Sequence, residues 1–392
     1  NMDTVITRPY LASLKAAATE LGRRADYRWS ELDALRRLPD DLFSSVREAG
    51  LLRTLVPTRM GGAGAAPVDW MRLGLELARH DLSLGWVVTQ GAAELAWIAA
   101  GGDPSWAAEV LGDPHGASAS STAGVGKLVL DRRTARLSGS WRFNTGSTGA
   151  TWVGGLAMVE RPGRSSDGLE LRIGWVPVDR AEVLDDWDPS GMRGTGSNST
   201  VIAEQTIDPA WTVDIFDQTP LDRGPYRVLV GNGNWPISTS VAAVQLGAAR
   251  RAIDEATRIV LEKAPAPDFV LLAAQGSVQR TLLRAEGRWN AAHAAVEREL
   301  EEMWDDAVRD EELTVDRRVR LLAANVHSAY ESVSIIDDMC ELTGTVALDR
   351  AQALSRMRRD AQALLGHIAV NGATVEAAGK MRLGLLDADI RV

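Results

Sequence analysis

The chain has 392 residues, of which 45% are hydrophobic and 24% charged, with a formal net charge of −10. That length predicts two or three packed units, and the acidic balance argues against a nucleic-acid partner, since phosphate binding calls for a basic surface. A single cysteine, Cys340, excludes a disulfide framework and a multi-thiolate metal site. Residues 1–115 read as a helical domain. Asn1 to Leu21 is polar and helix-like, without the apolar centre of a signal peptide. Leu38-Pro39-Asp40-Asp41 is a helix start, with proline and acids in the first turn, and Gly50 is the expected stop. Trp70 to Arg79 and the apolar stretch Leu84 to Ala100 follow, the second as a buried helix. No apolar run reaches the length of a membrane span, so a cytoplasmic protein without a membrane partner is expected.

Residues 116–225 have a different texture. Short alternating runs at Lys127–Asp131, Ala135–Phe143, Thr151–Val159, Leu169–Val178 and Ser199–Ile207 are separated by Gly, Ser, Asp and Pro. They predict an antiparallel β-domain. Residues 226–392 return to helical spacing, in Ser238–Glu262, Phe269–Ala307, Val315–Thr343 and Asp349–Val370. Four helices of that length predict an antiparallel bundle. The fold class is therefore α+β with segregated layers.

Two turns in the β-domain carry unusual chemistry. Gly139-Ser140-Trp141-Arg142-Phe143-Asn144-Thr145-Gly146-Ser147 sets an amide and a hydroxyl beside glycines, and Gly191-Met192-Arg193-Gly194-Thr195-Gly196-Ser197-Asn198 is a second polar loop. Ser120, Ser121, Asn144 and Thr145 are short polar groups on glycine-flanked segments, where a ligand could also reach backbone N–H groups. Each alone would be an ordinary turn residue. Thirteen tryptophans stand against four phenylalanines and four tyrosines. They supply either core or, at Trp86, Trp97 or Trp141, the wall of a pocket for a flat ligand. Among the histidines, His80 reads as a helix-end cap, His115 as a loop residue, and His293 and His327 as structural. None pairs at metal-ligand spacing, so no metal is expected.

These turns, with Leu38 to Gly62, Ser118 to Gly126, and Arg359-Asp360 followed by His367, resemble the acyl-CoA dehydrogenase superfamily along the whole chain. The likeness is strongest to its two-component flavin-dependent monooxygenases, whether hydroxylases or N-oxygenases of the nitrososynthase type. The resemblance implies an N-terminal helical domain, a middle antiparallel β-domain and a C-terminal four-helix bundle. It implies a site for reduced FMN contacted by Ser120, Ser121, Asn144 and Thr145, with Thr145 or Asn144 near the flavin N5 edge. Lys263 stands where dehydrogenases carry a pyrophosphate-binding arginine, which favours FMN over FAD; otherwise it is a helix-end cation. Reduced flavin would come from a separate reductase, and the family's habit of shared sites implies a homotetramer.

The resemblance also makes His367 the acid–base candidate, since an imidazole titrates near neutrality. Its rival reading is an ordinary helix histidine. Ile368 occupies the place of the common dehydrogenase carboxylate and cannot take a proton; Glu376 lies eight residues further. Trp86, Glu94 and Trp97 are expected at the substrate. Glu94 replaces a histidine of the aromatic hydroxylases, which casts doubt on phenols and would suit an amine; the alternative is a solvent-facing glutamate. The tail from Gly379 to Val392 is a further candidate wall. The competing functions are an FAD-dependent acyl-CoA dehydrogenase and a flavin-free family member.

Overall fold

Helices α1 (Arg8–Tyr27), α2 (Trp29–Leu35), α3 (Asp40–Glu48), α4 (Pro67–His80), α5 (Leu82–Gly101) and α6 (Pro104–Gly112) open the chain in a computed structural model. The structure describes residues 8–131, 133–163, 169–215, 224–229 and 235–385. Helix α3 starts as its composition dictates. Pro39 precedes it, Asp40 and Asp41 meet the positive end of its dipole, and Gly50 follows its end at φ 75°. The Asp81 carboxylate caps α5 by accepting from the Leu84 N–H at 2.9 Å. Most side chains of α5 are buried, because it packs against α4, the sheet and the C-terminal helices.

The strands are β1 (Ser118–Leu130), β2 (Ala135–Trp141), β3 (Trp152–Glu160), β4 (Leu171–Pro177), β5 (Glu182–Val183), β6 (Thr200–Ile207) and β7 (Thr212–Asp214). They form one sheet in the order β5-β6-β2-β1-β3-β4-β7. The expected antiparallel sheet is in fact mixed: β1 and β3 run parallel, with Ser118 opposite Trp152 and Val129 opposite Glu160. The route of the chain is the reason. Strand β2 returns antiparallel along one side of β1, and the turn after Trp141 then crosses to the other side, so β3 leaves in the direction of β1.

The helices that follow are α7 (Trp235–Glu262), α8 (Gly276–Val308), α9 (Val315–Thr343), α10 (Ala353–Leu364) and α11 (Gly372–Arg382). Helix α7 packs against α4, α9 and α8 and is the axis of the C-terminal layer. Two helices are shorter than expected. Phe269 has φ 52°, which no helical residue adopts, and α8 starts only at Gly276. The helix expected to reach Val370 stops at Leu364, because Gly366 and an extended His367 (φ −68°, ψ 138°) interrupt it. A further helix, α11, packs on α9, so the C-terminal layer exceeds the four helices expected. Among the described residues no helix is long and apolar enough to cross a membrane.

Tryptophans knit helices to sheet. Trp97, Trp175, Trp106, Trp152 and Trp211 form a continuous row with successive ring centroids 5.6, 4.9, 6.0 and 4.9 Å apart. Trp141 is fully buried with its N–H on the Leu156 carbonyl at 2.7 Å, so it is core rather than pocket. Gly155 lies flat under its ring, where any Cβ would overlap the indole.

Candidate active site

The turn after β2 is braced from beneath. Asn144 is completely buried and donates its amide to the Thr200 hydroxyl at 3.0 Å and the Gly154 carbonyl at 3.4 Å. Its backbone N–H reaches the Asn198 carbonyl, and that of Gly146 reaches the Thr195 carbonyl. The two polar loops, distant in sequence, are thereby laid side by side. Asn144 is a brace of the turn, and its buried Oδ1 is left without a partner. The half-buried Thr145 is the residue the turn presents: its Oγ1 accepts the Trp86 indole N–H at 3.1 Å and lies 3.0 Å from the Ser197 Oγ.

Trp86 projects from α5 and meets His367 edge-on, with ring centroids 5.2 Å apart and planes 70° from parallel. His367 accepts the Ala369 N–H at its Nδ1, at 3.2 Å, which caps the short turn Ile368–Val370. Burial pushes its pKa down to about 4. A neutral imidazole that accepts at Nδ1 carries its proton at Nε2. In the resting protein His367 is therefore a hydrogen-bond donor from Nε2. The neighbouring Ile368 is exposed, as is Glu376 on α11, so neither supplies a buried base.

Behind this cluster lies an acidic pair that sequence reasoning passed over. Asp360 on α10 accepts the Met192 N–H at 2.6 Å, which pins the second polar loop to the bundle. Burial, with Asp81 nearby, pushes the Asp360 pKa up to about 7, and burial raises Asp81 above the usual carboxylate range as well. Gly191 makes the contact sterically possible, since a Cβ there would overlap the Arg359 carbonyl.

The remaining candidates are distributed. Glu94, about two turns along α5 from Trp86, binds the Ser118 hydroxyl at 3.0 Å, the Ser120 N–H at 3.0 Å and the Ser120 hydroxyl. Burial pushes its carboxyl above the usual range, offset by those serine bonds. Ser120 is thus tied to Glu94, and Ser121 is turned inward, donating to the Arg142 carbonyl at 2.5 Å. Trp97 begins the tryptophan row described above. Lys263 donates to the Thr343 carbonyl at 2.8 Å, closing the C-terminal end of α9. From the tail beyond Gly379, residues 386–392 lie outside the described residues.

The structure therefore brings together Thr145, Trp86 and His367, with Glu94 further along α5 bonded to Ser120 on β1, and leaves Ser121, Asn144 and Lys263 in structural bonds. Thr195, Ser197 and Asp360 carry more of the site than sequence reasoning assigned them. The only signal was the density of hydroxyls in a glycine-flanked loop. A flavin ring needs an apolar wall and a polar edge. Here two aromatic side chains and a hydroxyl with bonding capacity to spare meet where the β-turn faces the bundle, a donor set that suits such a ring.

Residues 13–113 match the acyl-CoA dehydrogenase N-terminal domain, and residues 239–372 the acyl-CoA dehydrogenase C-terminal domain. The indole-3-acetate monooxygenase of Pseudomonas putida is 27% identical over 98% of both chains. HsaA, the oxygenase subunit of a flavin-dependent monooxygenase from Rhodococcus jostii (strain RHA1), is also 27% identical, over 87% of this chain and 90% of its own. XiaF from Streptomyces sp., solved in complex with FADH2 and glycerol, superposes with a TM-score of 0.85 over 97% of this chain and 98% of its own, at 22% identity. With matching domains at both ends and full-length similarity of this kind, the chain belongs to the acyl-CoA dehydrogenase superfamily and stands among its flavin-dependent monooxygenases.

Proposed function

We propose that this chain is the oxygenase component of a two-component monooxygenase that takes reduced FMN from a separate reductase, with reduced FAD as the alternative. The observation that carries the reading is the meeting of Thr145, Trp86 and His367, with His367 held neutral by burial. Bound reduced flavin supplies the activation of O2: one oxygen atom enters a small organic substrate and the other leaves as water. The protein's part is placement and proton control. Thr145 meets the flavin edge, Trp86 walls the ring, and the His367 Nε2–H is available to donate or to pass on a proton. Trp86 is buried while Thr145 and His367 are half-buried, so a flavin seated on them would complete the exclusion of bulk water from the reacting atoms.

Glu94 is engaged within the protein: Ser118 and Ser120 make three hydrogen bonds to it, the Trp175 indole also bears on it, and burial raises its carboxyl above the usual range. It therefore shapes this end of the site rather than offering a free acceptor to a substrate. Exposed apolar side chains on the C-terminal layer, such as Leu283 and Leu348, support assembly into a homotetramer through that layer.

Anaerobic titration of the purified chain with reduced FMN and reduced FAD, followed by admission of O2, tests this function. Binding of a reduced flavin and flavin-dependent O2 uptake are expected, with no bleaching of oxidised flavin when saturated acyl-CoA thioesters are added. Rapid bleaching by any acyl-CoA would replace the monooxygenase with a dehydrogenase.

A further inference from the structure

Four polar contacts run in file from Trp86 into the second polar loop. The Trp86 Nε1–H meets the Thr145 Oγ1 at 3.1 Å, Thr145 Oγ1 lies 3.0 Å from Ser197 Oγ, Ser197 Oγ lies 2.7 Å from Thr195 Oγ1, and Thr195 Oγ1 lies 2.9 Å from the Met192 carbonyl. An indole N–H can only donate, a carbonyl can only accept, and each hydroxyl has one hydrogen. Four contacts must therefore be made by four hydrogens. Only one direction satisfies them all: Trp86 to Thr145, Thr145 to Ser197, Ser197 to Thr195, Thr195 to Met192. Reversing any hydroxyl sets two lone pairs face to face. Trp86, Ser197 and Thr195 are buried, where an unmade hydrogen bond is expensive.

The row has a consequence at its open end. The Thr145 hydrogen is committed to Ser197, so toward any ligand Thr145 offers a lone pair and no hydrogen. At N5, reduced flavin carries an N–H, a donor, while oxidised flavin has a bare lone pair there. We propose that Ser197 and Thr195 are positioning residues which, by fixing the direction of this hydroxyl row, make Thr145 accept-only and so set a preference for reduced over oxidised flavin. The inference rests on the proposed function, with the flavin edge that Thr145 meets taken to be N5.

The test is the ratio of dissociation constants for oxidised and reduced FMN, measured anaerobically on the full chain and on Ser197→Ala and Thr195→Val. Removing the Ser197 hydroxyl frees the Thr145 hydrogen to turn to the ligand. Thr195→Val keeps shape but removes the acceptor of Ser197, whose hydrogen can then turn toward Thr145. Both variants are expected to lower the ratio about tenfold, which lowers the two-electron potential of bound FMN by about 30 mV. In a Thr145→Val background, Ser197→Ala should leave the ratio unchanged, as coupling through Thr145 requires. Should both affinities fall in parallel at constant ratio, the row merely holds the loop and the proposal is overturned while the flavin function stands. Wild-type chain that binds neither form removes the function itself. If Ser197→Ala fails to fold, Thr195→Val carries the same test.

Discussion

His367 holds two jobs on two nitrogens. Its Nδ1 accepts the Ala369 N–H and caps a turn, while Nε2 bears the proton that faces away from that bond. Alanine would remove both functions at once, whereas asparagine can keep the capping acceptor and lose the Nε2–H. His367→Asn is therefore expected to melt near the wild-type temperature yet divert O2 to hydrogen peroxide, with product formation falling about 10²–10⁴-fold. Coupling of O2 to product at the wild-type level would remove the histidine from the chemistry. Its titration has a definite sign. The folded pKa, about 4, lies below the ordinary 6.5, so the unfolded chain takes the proton first and stability is lost as pH falls from about 6.5 to about 4. Sequence reasoning found this residue but placed it inside a helix. Gly366 was the legible stop signal, and the cap at Nδ1 became visible only once the chain broke there.

At the scale of elements, the second polar loop is clamped to α10 through Met192 and Asp360, with Gly191 allowing the close approach. Asp360 is an acid whose folded pKa is raised to about 7 by burial and by Asp81. The folded state therefore holds its proton more tightly than the unfolded chain, and stability falls as pH rises from about 4 through about 7. Asn at this position still accepts from the Met192 N–H and cannot ionise. The melting temperature of Asp360→Asn should thus gain on wild type between pH 5 and pH 8. A constant gap across that range would show that Asp360 does not titrate there. Both polar loops were legible as glycine-flanked clusters of hydroxyls, but their pairing was not. Local alternation names strands without naming neighbours, and the crossing that makes β1 and β3 parallel is decided by contacts far apart in sequence.

For the whole molecule, the helix–sheet–helix order followed from periodicity alone, because 3.6-residue and two-residue spacing occupy separate stretches of the chain. Tryptophan usage was ambiguous for the opposite reason: burial and ligand contact select the same side chain. The row from Trp97 to Trp211 shows that core packing absorbs much of it. Apolar side chains left on the outer surface, including Leu261, Leu283 and Leu348, sit on or beside the long C-terminal helices. Light scattering at micromolar concentration should therefore return four times the chain mass, and Leu283→Glu should shift it toward smaller species. A wild-type monomer would end the tetramer proposal.

The bond between Met192 and Asp360 joins residues 168 positions apart. A ribosome adding about 5–20 residues per second exposes the polar loop roughly ten to thirty seconds before it exposes the carboxylate that pins it. Throughout that interval the loop can find Thr145 but not α10. The cluster of Thr145, Trp86 and His367 is thus among the last parts of the chain to be completed during synthesis.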